Sequence, residues 1–109
     1  MQDPLNDYNA LKELGEGVSS KIVLGRNKRT NALMALKIIN KEVLTDQQEN
    51  QVNQDIRIHF RLSHPNIVQC LQSFKESKEV LIVLEYVRKD LLVGRSLQIT
   101  LFILLLIGF

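Results

Sequence analysis

Six residues near the start of the chain, Gly15-Glu16-Gly17-Val18-Ser19-Ser20, and one lysine, Lys37, carry its clearest chemistry. Glycines without a Cβ let backbone N–H groups come close to a ligand. The next segment, Lys21-Ile22-Val23-Leu24, alternates as a strand. A polar turn, Gly25-Arg26-Asn27-Lys28-Arg29-Thr30-Asn31, leads to a second apolar strand, Ala32 to Ile39. Strand side chains alternate, so Leu33, Ala35, Lys37 and Ile39 share one face while Met34, Leu36 and Ile38 share the other. Lys37 can then reach the space under the glycine turn. A roof of N–H groups above a single cation suits a polyphosphate.

The residues after the turn exclude two other phosphate-binding arrangements. A Rossmann site needs the turn to open directly into a helix and usually a third glycine. Here Ser20 holds the third position and a strand comes next. A Walker loop needs Gly-Lys-Ser/Thr, and none is present.

The stretch Leu14 to Lys37 resembles the nucleotide-binding start of the eukaryotic protein kinases, whose glycine-rich loop is followed by an Ala-x-Lys strand. In this sequence that strand carries Ala35-Leu36-Lys37. The resemblance implies ATP as ligand, with Gly15, Glu16, Gly17, Val18, Ser19 and Ser20 over the phosphates and Lys37 on them. Leu14 and Ile22 would cover the adenine, Ile22 standing where the family often has Val, and Ala35 would lie beside the base. Two departures occur: Ser20 replaces the third glycine, and Ser19 stands where an aromatic often caps the loop tip.

The same resemblance assigns a partner to Lys37. His64-Pro65-Asn66-Ile67-Val68 matches the family's loop after its first helix, and alignment on it puts Asp55 where the family has a Glu that pairs with the strand lysine. An Asp is shorter by one methylene, roughly 1.5 Å of reach. Leu84-Glu85-Tyr86-Val87 resembles the hinge between the two kinase lobes. By position Leu84 is the gatekeeper, the backbone of Glu85 and Val87 meets the adenine edge, and Asp90 reaches the ribose.

The elements that must position these residues emerge from periodicity. Met1 to Asp7 reads as a polar leader without evident role, and Tyr8 to Leu14 as a first strand. Thr45-Asp46-Gln47-Gln48 offers a helix start in which Thr45 and Gln48 are spaced as a capping box. Val52, Ile56, His59, Phe60 and Leu62 then fall at helical spacing, and Ser63-His64-Pro65 ends the helix. Asp55 lies one turn from both Val52 and His59. Cys70 to Phe74 and Val80 to Leu84 read as two strands joined by Lys75-Glu76-Ser77-Lys78-Glu79. The expected fold is α+β, a five-stranded antiparallel sheet with one helix, as in a kinase N-terminal lobe. It covers residues 8–92.

Residues 93–109 resemble no part of the larger kinase lobe. Leu97 to Phe109 is apolar but falls short of the about 20 residues of a spanning helix. Three readings stay open: a reading frame that is not native kinase sequence, a helix covering the apolar surface that faces the larger lobe, and a short membrane anchor.

The 109 residues suffice for one small domain, and a formal net charge of +2 with mixed signs excludes a dedicated nucleic-acid surface. A single cysteine, Cys70, forms no internal disulfide and fits a reducing compartment, cytoplasmic or nuclear. Cys70 reads as a small buried apolar residue. The first ten residues do not read as a secretory signal. His59 and His64 lack the further ligands of a metal site.

The sequence holds no His-Arg-Asp, no Asp-Phe-Gly and no Ala-Pro-Glu run. The resemblance therefore implies the ATP-binding portion of a protein kinase, more in keeping with Ser/Thr than Tyr specificity. A longer product would act on a protein substrate, and Mg²⁺ would enter only with the larger lobe. The alternative is a noncatalytic binding module that pairs with another kinase or a membrane through its apolar tail, its face toward the larger lobe meeting that lobe or another apolar partner.

Overall fold

A computed structural model describes residues 3–61 and 68–86. Five strands, β1 (Tyr8–Glu16), β2 (Ser20–Asn27), β3 (Leu33–Asn40), β4 (Cys70–Lys75) and β5 (Glu79–Glu85), form one antiparallel sheet in the order β1-β2-β3-β5-β4. One helix, α1 (Asp46–Arg61), lies between β3 and β4 in the chain and packs on one face of the sheet. The fold is α+β, a five-stranded antiparallel sheet with one helix, and is consistent with a kinase N-terminal lobe.

Both faces of the sheet are apolar, which is why β3 and β5 read as nearly continuous hydrophobic runs. Ile22, Ala35, Ile39, Val80, Ile82 and Leu84 point toward α1 and pack with its Val52 and Ile56. Val23, Leu36, Ile38, Leu81 and Val83 form a second cluster on the opposite face. The division of β3 into two faces is the one its alternation predicts. The second cluster has its own cover: Leu5, Tyr8, Met34 and Phe74 pack on it.

That cover corrects the reading of the first seven residues as a polar leader. Pro4–Asp7 is a 3₁₀ turn whose N-cap, Asp3, accepts from the Leu5 N–H at 3.0 Å. The turn presents Leu5 to the sheet. One leucine among polar residues carries no periodic signal, so only the packing reveals it.

The polar turn after β2 is shorter than expected, because β2 continues through Gly25 to Asn27. Gly25 is a strand residue packed against the opposite strand. A Cβ there would lie 2.5 Å from Leu36 Cδ1. The chain reverses over residues 28–32 instead. Asn27 Oδ1 accepts from the N–H groups of Arg29 and Thr30, and Asn31 adopts φ 63°, a left-handed conformation that Asn tolerates.

The start of α1 is the expected capping box. Gln48 N–H donates to Thr45 Oγ1 at 3.1 Å, and Thr45 N–H donates to Gln48 Oε1 at 2.9 Å. Val52, Ile56 and His59 form its buried stripe. Phe60, counted with them by spacing, is half exposed, since it stands on the shoulder of the stripe. Leu62, the helix end at Ser63-His64-Pro65, and everything from Val87 onward lie outside the described residues.

Candidate functional site

The glycine turn is a closed hairpin. Gly17 N–H donates to the Ser20 carbonyl at 2.7 Å, and the Ser19 carbonyl accepts from Asn40 N–H at 2.8 Å, which ties the loop base to the end of β3. Val18 stands at the tip, almost fully exposed, while Ser19 and Ser20 are buried. A register shift between Glu13 and Gly15 sets Gly15 opposite Ile22 and Glu16 opposite Lys21.

The register then aligns the loop with the lysine. Gly15 pairs with Ile22, Ile22 with Lys37 and Lys37 with Ile82, so all four stand in one row across the sheet. Side chains in such a row share a face. Two strand spacings, roughly 10 Å, separate Gly15 from Lys37. In the neighbouring row Leu24, Ala35 and Leu84 are paired, with Cys70 beyond them. Ala35, Lys37 and Leu84 therefore lie on one surface, with Ile22 between the lysine and the loop. Ile22, Ala35, Lys37 and Leu84 are buried, whereas Leu14 on β1 is exposed.

Lys37 is the most constrained charge of the described fold. Its residue is 1% exposed, and burial pulls its ammonium from 10.5 down to about 7, against an attraction to Asp55 that pushes the other way. Among the described residues the direct ion pair is Lys41–Glu49, at 3.4 Å. Asp55 acts on Lys37 from farther away. The half-buried Asp55 carboxylate instead accepts from Gln51 Nε2, one turn earlier on α1, at 2.9 Å. A side chain one methylene short of Glu is met by its own helix first.

His59, one turn beyond Asp55, is buried at 2% exposure, and its Nε2 lies 2.6 Å from the Val68 carbonyl. A carbonyl only accepts, so Nε2 carries the proton. Burial lowers the His59 pKa, the bond to Val68 opposes this, and the charge of Lys37 lowers it further. Spacing placed His59 on the apolar stripe but gave no sign of this bond, because its partner arrives from another part of the chain. Cys70 is buried and its thiol is pushed up to about 11 by that burial.

At the end of β5, Glu85 N–H donates to the Gln69 carbonyl at 2.9 Å, while Gln69 N–H donates to Glu85 Oε1 at 3.0 Å. Val87 and Asp90, the other expected hinge residues, lie outside the described residues. A cavity of about 460 Å³ is lined by the loop residues Glu16 to Ser20 together with Lys21, Ile38, Asn40, Val43 and Lys78 among others, and Lys37 is not part of its lining. Among the described residues no trio of His, Cys, Asp or Glu is grouped to hold a metal, and no helix is long and apolar enough to cross a membrane.

Comparison with known proteins agrees with this arrangement. The protein kinase domain model matches residues 8–101. The chain is similar to the serine/threonine-protein kinase Aurora-1 of Arabidopsis thaliana, 37% identical over 83 residues, covering 75% of this chain and 28% of that protein. It is 39% identical over 85 residues to the CBL-interacting serine/threonine-protein kinase 12 of the same plant, covering 77% of this chain and 17% of the relative. With the serine/threonine-protein kinase TIO, also from Arabidopsis, it shares 33% identity over 87 residues, covering 80% of this chain and 7% of the relative. The chain thus spans less than a third of the length of these curated relatives. A match over residues 8–101, on a sheet and helix arranged in this way, establishes that the chain belongs to the protein kinase domain family.

Proposed function

We propose that residues 8–92 are the ATP-binding lobe of a protein kinase. The observation that carries this reading is Lys37, a buried ammonium with no carboxylate in direct contact among the described residues. Burying a cation costs stability unless an anion meets it. A nucleotide polyphosphate would supply that anion. The register supports this: Gly15, at the start of the loop, stands in the same row of the sheet as Lys37, with Ile22 between them.

In this reading the loop residues Gly15, Glu16, Gly17, Val18, Ser19 and Ser20 cover the phosphates and Lys37 neutralises them. Asp55 attracts Lys37 from beyond ion-pair distance. Leu14, Ile22 and Ala35 bracket the adenine, and Leu84 closes the back of the pocket. Because Glu85 N–H is engaged with Gln69, Glu85 would meet the adenine edge through its carbonyl. Val87 would contribute its backbone and Asp90 the ribose contact. No Mg²⁺-held step is assigned to this chain's residues. In a longer product the lobe would serve phosphoryl transfer to a protein, and the names of its relatives favour Ser/Thr as acceptor.

The test is a calorimetric titration of the chain with ADP and ATP, beside Lys37→Met. Binding that weakens about tenfold or more in the variant supports the reading, as expected for loss of a charge-assisted contact. Equal affinity of parent and variant would overturn it.

A further inference from the structure

Lys37 feels two groups on α1 that lie one turn apart. Asp55 attracts its charge, and its charge in turn disfavours protonation of His59. Residues at i and i+4 project from the same side of a helix, so any roll or outward shift of α1 moves both together. Resistance to such a shift is visible at one end. The buried Nε2–H of His59 crosses from α1 to the Val68 carbonyl, just before β4, at 2.6 Å. Val52 and Ile56 add apolar contact along the same stripe, but apolar contact is non-directional and permits sliding. A hydrogen bond inside the core fixes both distance and angle.

We propose that His59 is a positioning residue: its bond to the Val68 carbonyl sets the depth and roll of α1 on the sheet, and thereby the distance from Asp55 to Lys37. This deepens the nucleotide-lobe reading and rests on it for its consequence. With the bond made, Asp55 stays within electrostatic reach of Lys37, poised to close on it once phosphate is present. With the bond broken, α1 can roll so that Asp55, still held by Gln51, turns outward toward water, and Lys37 loses that attraction.

The test monitors the Lys37 amine by NMR titration in the full chain carrying ¹³C-labelled lysine. Asp55→Asn is compared in three backgrounds: the parent, His59→Gln, whose amide can still donate to the carbonyl, and His59→Leu, which cannot. Asp55→Asn is expected to lower the Lys37 pKa by about half a unit or more in the parent and in His59→Gln. In His59→Leu the Lys37 pKa is already low, and Asp55→Asn adds nothing. An Asp55→Asn effect of full size in the His59→Leu background overturns the proposal, as does a His59→Gln chain that behaves like His59→Leu. His59→Met serves in the same comparison if the leucine variant does not fold. ADP titration of the same samples separates the two ideas. A parent chain that binds no ADP removes the nucleotide reading, while the lysine titrations still decide the role of His59.

Discussion

Lys37 is held out of water with its carboxylate at a distance, and that makes it the residue on which pH, stability and binding meet. Its pKa is about 7 in the fold against 10.5 for an ordinary lysine, and each unit corresponds to about 1.4 kcal/mol. Removing the charge should therefore stabilise the nucleotide-free lobe. Lys37→Met is expected to raise the urea midpoint, by an amount worth about 1–3 kcal/mol after the protein's relaxation is allowed for. The pH dependence has a definite sign: between pH 7 and 10.5 the unfolded chain binds more protons at this site than the fold does. Stability contributed by Lys37 thus rises across that window, and the full penalty is present below pH 7. The gap between Lys37→Met and the parent should narrow from about pH 7 to about pH 10; a constant gap would contradict the buried cation. Binding should show the reverse linkage. At about pH 8 the free lysine is largely neutral, so ADP binding should draw in close to one proton, seen as a heat that scales with buffer ionisation enthalpy, and Lys37→Met should abolish it. Gln51→Ala, which frees the Asp55 carboxylate, should raise the Lys37 pKa slightly, because such a helical pair is worth only about 0.2–0.5 kcal/mol.

Two elements depend on features that a substitution can isolate. The helix begins at a reciprocal pair of hydrogen bonds between Thr45 and Gln48. Thr45→Ala should cost about 1 kcal/mol in denaturant titrations, with the fold retained. An unchanged midpoint would mean that packing alone holds the helix start. Strand β2 needs Gly25 for a different reason. A Cβ would meet Leu36 in the middle of the outer-face cluster, at a distance real side chains do not occupy. Gly25→Ala should destabilise by about 1–3 kcal/mol through overpacking while leaving ADP affinity of the folded fraction unaltered, since Lys37 lies on the other face. Most of this architecture was legible in the sequence. The alternation of Lys21 to Leu24, the two-faced β3 and the Thr45–Gln48 pair each state a local preference that the fold keeps. The extent of β2 was not legible, because a glycine beside a polar run has the composition of a turn whether or not a leucine packs over it.

At the scale of the molecule, the sheet places Gly15, Lys37 and Leu84 on one surface by register alone, and the helix brings Asp55 and His59 to the same surface from another part of the chain.

The residue types that could do the chemistry, their order and the strands that carry them were set by the sequence, because glycine freedom, strand alternation and helix capping act within a few residues. The tertiary structure alone decided what those residues meet. It covered the outer face with Leu5, gave His59 the Val68 carbonyl, and gave the Asp55 carboxylate to Gln51 rather than to Lys37. The physical reason is common to all three. Which partner a buried polar or apolar group finds depends on how the elements are placed against one another in space, and no preference acting within a few residues encodes that placement.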